Sequence, residues 1–219
     1  MTERSSLRAE MRERILETTD RLFYEQGIRA VGVDTVAAEA GISKRTLYNY
    51  FPSKDELITA YLSRRFKLAP LTDAPPAQQI LGNFDRLERS FSSGRFRGCP
   101  FVNAVAELKE PDHAANKIAV AFKDERRAWF RALLLRLGVA APDSLAMQLM
   151  LLVDGAIAAA VVRGDPKVAH AAREAAATLL SAARVDIPAG GTAPAGRARR
   201  DAGRKPRRKP NQARLPPRP

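Results

Sequence analysis

Apolar residues recur at the three- and four-residue spacing of a helix along nearly the whole chain, and no stretch of strand length alternates apolar with polar. Side chains on an α-helix return to one face every 3.6 residues, so this pattern predicts an all-α fold. It is clearest near the N-terminus. There Met11, Ile15, Thr19, Leu22 and Phe23 share a stripe on a helix predicted from Leu7 to Gln26, with Gly27 as its stop. A short helix from Val33 to Ala40 ends at Gly41, and a third opens at Ser43 as N-cap and closes before Pro52. Ser53-Lys54-Asp55-Glu56 reads as a capping box ahead of a helix carrying Leu57, Ile58, Tyr61, Leu62 and Phe66. Pro70, Pro75 and Pro76 mark a linker, and further helices are predicted near 77–92, 100–109, 112–137, 143–163 and 166–184.

The formal charge of +13 suggests a nucleic-acid partner, but its distribution matters more than its sum. Residues 1–68 carry 12 Lys/Arg against 10 Asp/Glu, and residues 69–185 carry 15 against 12. Residues 186–219 carry 10 against 2, with seven Pro and almost no large apolar side chains. Such a segment cannot bury enough to offset its ordering entropy, so it is expected to be a disordered basic tail. It is either a solubilising spacer or an arm adding salt-dependent phosphate contacts through Arg204, Lys205, Arg207, Arg208 and Lys209.

Two short helices joined by Gly41-Ile42 have the arrangement of a DNA-reading helix-turn-helix. Placed at 100° per residue, the second helix turns Leu47 inward, flanked by Phe51, Ser43 and Tyr50. Arg45 and Asn49 point away, bordered by Tyr48 and Thr46. The outward face is therefore cationic, amide and hydroxyl, the groups that reach base edges and phosphates in a major groove. The competing reading is a merely solvated face.

Residues 27–62 resemble the DNA-binding segment of TetR-family regulators, above all in Leu47-Tyr48-Asn49-Tyr50-Phe51-Pro52-Ser53-Lys54. The resemblance covers the helix before this stretch and the capping box after it; the remainder agrees in helical character and length. It implies a homodimer bound to a partly palindromic double-stranded operator, usually as a repressor released by a small-molecule effector. It places Lys44, Arg45, Thr46, Tyr48 and Asn49 at DNA-facing positions, with Tyr48 and Lys54 as phosphate contacts. Where the family often has Thr at the start of the second helix this chain has Gly32, and Thr35 is the substitute candidate. The implied organisation is a helix-turn-helix domain over 1–52, a helical ligand-binding and dimerisation domain over 53–185 with a connecting helix at 53–69, and the tail.

In the second half, Leu149, Leu152, Val153, Ala156 and Ala160 form one stripe and Val168, Ala172, Ala175, Ala176 and Leu179 another. A two-fold pair of such hairpins would make a four-helix dimer interface; alternatively the stripes fill the core of one chain. The aromatic residues, Phe101 and Trp129 among them, are candidates for an effector cavity, although aromatics at helical spacing usually form ordinary core. Cys99 precedes Pro100 at a predicted helix start, with Arg95 and Arg97 nearby in sequence. It is a candidate sensor thiol, resembling Gly-Cys segments of TetR-like regulators that respond to reactive species, or a small buried apolar group.

The lone cysteine excludes an internal disulfide, and with two isolated histidines, His113 and His170, it gives no metal site. No cofactor motif is present. The first ten residues carry charges where a signal peptide is apolar, and Leu145–Val162 is broken by Gln148 and Asp154. These features point to a cytoplasmic protein without a membrane partner. With no Gly-rich phosphate loop, metal-binding His/Glu pair or recognisable nucleophile–base pattern, an all-helical enzyme is the weaker alternative. A sequence-tolerant architectural DNA protein using the tail is another.

Overall fold

In the computed structural model, which describes residues 3–185, the helical stripes close over two cores. The proposed basic tail at 186–219 lies outside the described residues. Among those residues the helices are α1 (Glu3–Gln26), α2 (Val33–Glu39), α3 (Lys44–Tyr50), α4 (Lys54–Arg65), α5 (Pro76–Phe91), α6 (Pro100–Leu108), α7 (Ala114–Arg136), α8 (Pro142–Arg163) and α9 (Val168–Ala182). The fold is all-α, as the periodicity predicts. α1 begins four residues before the predicted start, in a polar turn beyond the apolar stripe where the Ser6 hydroxyl donates to Glu10 at 3.0 Å.

The first core gathers the inward stripes of α1 to α4. Ile15, Leu22, Val36, Leu47, Leu57 and Leu62 are each no more than 1% exposed. Thr19 is the polar member of that stripe, and its hydroxyl is satisfied by donating to the Ile15 carbonyl at 2.7 Å. The same core extends into α6 and the first half of α7 through Phe101, Ala104, Ala115, Ala119 and Phe122. The second core joins α5, the second half of α7, α8 and α9, and Ile157 packs against both.

These contacts correct one expectation. Leu149, Val153, Ala156 and Ala160 of α8, with Ala172 and Ala176 of α9, are buried within the chain, so most of those stripes fill its own core. The exposed apolar stripe of α8 is a different one: Met147, Leu151, Gly155, Ala158 and Val162 at helical spacing. α8 alone among the described helices is long and apolar enough to cross a membrane. Its composition has a packing origin, because its inner face is core against α5, α7 and α9.

Candidate nucleic-acid interface and body cavity

α3 is held by its inner side and its ends. Ser43 caps it, accepting from the Thr46 amide at 3.0 Å, and its hydroxyl lies 2.8 Å from the Thr46 hydroxyl. Gly41 lets the chain turn between α2 and α3 at φ +67°, a conformation that strains a residue bearing Cβ. Leu47 is fully buried, Phe51 is 2% exposed, and the Arg12 guanidinium lies 5.0 Å from the Phe51 ring centroid. At the other end of the motif the Ser53 hydroxyl accepts from the Glu56 amide at 3.1 Å, starting α4 where the capping box predicts.

Thr35, Lys44, Arg45, Tyr48 and Asn49 are exposed on α2 and α3. The Thr46 side chain is half-buried against Ser43. Lys44 is drawn to Asp34 at 3.0 Å, and that hydrogen bond holds its ammonium above the usual lysine range. Lys54 stands apart from this group. It is half-buried at the start of α4, 6.0 Å from the Phe23 ring centroid, and burial pulls its pKa down against the opposing carboxylates of Glu107 and Asp55. Gly32, the N-cap of α2, supplies no side-chain cap.

Two long-range clasps tie this head to α6, and nothing in the local pattern announces either. The Tyr24 hydroxyl of α1 donates to the Gly98 carbonyl at 3.0 Å and accepts from the Arg97 amide at 3.1 Å, just before α6 begins. Near the far end of α6, Glu107 accepts from the Arg29 amide at 2.9 Å, and a Cβ at Gly27 would lie 3.0 Å from its carboxylate. Alongside, Arg65 of α4 forms a bidentate pair with Asp20 at 2.6 and 2.8 Å and lies 3.9 Å from the Tyr24 ring centroid. Burial works against the Arg65 charge, but the Asp20 hydrogen bonds and the neighbouring tyrosines raise its pKa overall.

Below the clasps lies a cavity of about 500 Å³ between α1, α4, α5, α6, α7 and α8. Cys99 and Phe101 line it; Cys99 is 8% exposed, and Phe101 stacks on Phe122 with centroids 4.0 Å apart. Phe101 thus serves both core and cavity wall. Trp129 lines a neighbouring cavity of about 290 Å³ instead, packed edge-on against Phe130. The sequence neighbours of Cys99, Arg95 and Arg97, are exposed and line neither cavity. The guanidinium that shares both cavities is Arg126 of α7, which sequence spacing could not select.

A family model described as bacterial regulatory proteins, tetR family, matches residues 15–61, from mid-α1 into α4. A crystal structure of a TetR-type transcriptional regulator from Streptomyces avermitilis is similar at 37% identity and TM-score 0.72, over 80% of this chain and 99% of that one. The chain belongs to the TetR family of transcriptional regulators. A TetR-family regulator from Streptomyces coelicolor is similar at 31% identity and TM-score 0.73, over 80% and 96% of the two chains. A curated relative, an HTH-type transcriptional regulator of Mycobacterium tuberculosis, is 42% identical over 52 residues, 24% of this chain and 26% of that protein. The match to that relative therefore spans about a quarter of its length. TetR-family membership makes the protein a DNA-binding regulator rather than an enzyme, and its solved relatives extend the likeness beyond the head to the helical body.

Proposed function

We propose that the protein is a homodimeric, cytoplasmic TetR-family regulator that reads a partly palindromic operator through α3 and is released when a small molecule, or modification of Cys99, alters its body. The observation that carries this reading is the face of α3: Arg45, Tyr48 and Asn49 are exposed on a helix whose other side and cap are fixed by packing. Thr35, Lys44, Thr46 and Lys54 complete the candidate DNA contacts. A preorganised polar face of this kind gives up little side-chain packing on entering a groove. The exposed stripe Met147, Leu151, Gly155, Ala158 and Val162 supports pairing of two copies, because its small members allow close helix approach.

Coupling follows from the two clasps. α6 starts at the cavity with Cys99 and Pro100 and carries Glu107 against the α1–α2 turn, a rigid lever about 13 Å long. A ligand that favours a displaced α6 favours a different setting of the heads, and two heads out of register with successive major grooves bind DNA less tightly. Thiol chemistry at Cys99 would act on the same end of the lever. The protein acts as a repressor in this proposal; relatives with similar heads act in both directions. The Rhodococcus jostii relative KstR, 41% identical over 63 residues, is named a repressor, while the Mycolicibacterium smegmatis relative FasR, 42% identical over 57, is named an activator.

The test is a mobility shift on DNA flanking the protein's own gene, with excess random competitor, for wild type and Arg45→Ala/Tyr48→Ala. A competitor-resistant complex lost in the variant supports the reading. A complex of equal strength in both proteins contradicts it.

A further inference from the structure

The two adjoining cavities share Lys67, Leu87 and Arg126, and their unpaired polar groups are strongly one-sided. The other arginines of the larger cavity are committed: Arg65 to Asp20, and Arg64 to Glu13 and Glu17. Arg126 has no carboxylate within ion-pair distance among the described residues, and its guanidinium lies 4.9 Å from the Phe122 ring centroid. Desolvation depresses its pKa, and the like charge of Arg86 in the smaller cavity adds to this, so the charge is held at a cost that nearby Cys99 and Asp154 do not fully offset. Asp154 is itself paired with Lys123. Two residues in the wall of the smaller cavity, Asn83 and Trp129, each hold a donor, Nδ2 and the indole N–H, that is shut from solvent with no hydrogen-bond partner. An unmade hydrogen bond at a buried polar atom costs stability, so such donors ask for a partner.

We infer that Arg126, with Asn83 and Trp129, forms the recognition site for an anionic effector: a small molecule with a carboxylate head seated at these donors and an apolar body against Leu87, Phe96, Phe101 and Phe122. The site is the effector pocket of the regulator proposed above, and the inference rests on that reading for its regulatory meaning. The combined space suits an acid of moderate size, and Leu87, Phe96, Phe101 and Phe122 form an apolar part of a wall that is otherwise largely polar. A carboxylate supplies the counter-charge that the Arg126 guanidinium lacks, whereas a neutral amide or alcohol leaves it uncompensated.

The test is calorimetric titration of the full chain, free of DNA, with octanoate and 4-phenylbutyrate beside their primary amides. At least one acid is expected to bind about tenfold or more tightly than its amide, a preference of about 1.4 kcal/mol. Arg126→Met should reduce that preference to near unity, and Arg126→Lys should keep part of it. Trp129→Phe, which removes one donor, should weaken the acid several-fold and its amide little, giving a second reading should Arg126→Met not fold. Equal binding of acid and amide, a preference unchanged in Arg126→Met, or no binding of either acid up to about 5 mM would overturn the inference. Operator binding is measured separately. A protein that holds its operator but ignores both acids refutes the anion site alone, while one that binds an acid but no specific DNA refutes the regulator reading alone.

Discussion

α3 and the body cavity are built in opposite ways. The face of α3 comes from seven consecutive residues with a local cap, and its chemistry points outward. The cavity is assembled from six helices far apart in sequence, and its distinguishing group, the Arg126 guanidinium, is marked by a missing partner rather than by a made contact. Two of the three arginines that line it sharpen the contrast. Arg65 is satisfied by a bidentate carboxylate and two tyrosines, so it reads as part of the frame that holds α1 to α4. Arg126, on α7, carries its charge without such a partner. A protein that leaves one guanidinium unpaired beside another that is fully paired separates a structural charge from one available to a ligand.

If that division is sound, substitutions on the two sides should have separable effects. The largest is expected from Arg45→Ala/Tyr48→Ala: a loss of operator affinity of at least ~30-fold in mobility shifts, at about 1–3 kcal/mol for each good base or phosphate contact. Its melting temperature and ligand titrations should be those of wild type, since both side chains are exposed. Next is Asp20→Asn, which strips Arg65 of its counter-charge and should lower stability by roughly 1–3 kcal/mol in urea unfolding, the interaction being only half-buried. Arg126→Met breaks no such pair and should not lower the denaturation midpoint; a loss as large as that of Asp20→Asn would erase the distinction between the two arginines.

A smaller effect is expected where the regions meet. Glu107→Gln weakens the hydrogen bond from the Arg29 amide while keeping the side-chain shape. Loosening of the clasp by about 1 kcal/mol should change operator affinity by several-fold with little change in ligand affinity for the isolated pocket. Binding curves with and without ligand check this. Smallest of all is Gly32→Thr. Nothing lies within 4 Å of a Cβ at that position, and its φ of −82° suits any residue. The added hydroxyl should cap α2 for a few tenths of a kcal/mol and leave DNA binding unchanged or modestly tighter.

The legibility of these regions in the sequence follows the same division. The helices of the head were readable because Gly41, Ser43, Pro52 and Ser53 punctuate them with local chemistry, and the inward position of Leu47 followed from helical periodicity. The α8 and α9 stripes were readable as buried faces, but not whether a chain buries them in itself or in a copy, because apolar spacing is the same in both cases. Spacing does not show that Lys54, unlike Lys44 and Arg45, is half-buried near Phe23 and Glu107. Tyr24, Glu107 and Arg126 lay beyond sequence reasoning, since each acquires its role from residues on another helix, Tyr24 and Glu107 across more than seventy positions. The same holds around Cys99: Arg95 and Arg97 are its neighbours in sequence, whereas the fold brings Arg126 to the cavity it lines.

The central claim, sequence-specific recognition by the α3 face, is tested most directly by the ratio of affinities for operator DNA and random duplex at physiological salt. A ratio of about 10³ or more that collapses in Arg45→Ala/Tyr48→Ala is expected. A ratio within tenfold of unity, unmoved by the substitutions, would contradict it and favour sequence-tolerant binding through phosphates.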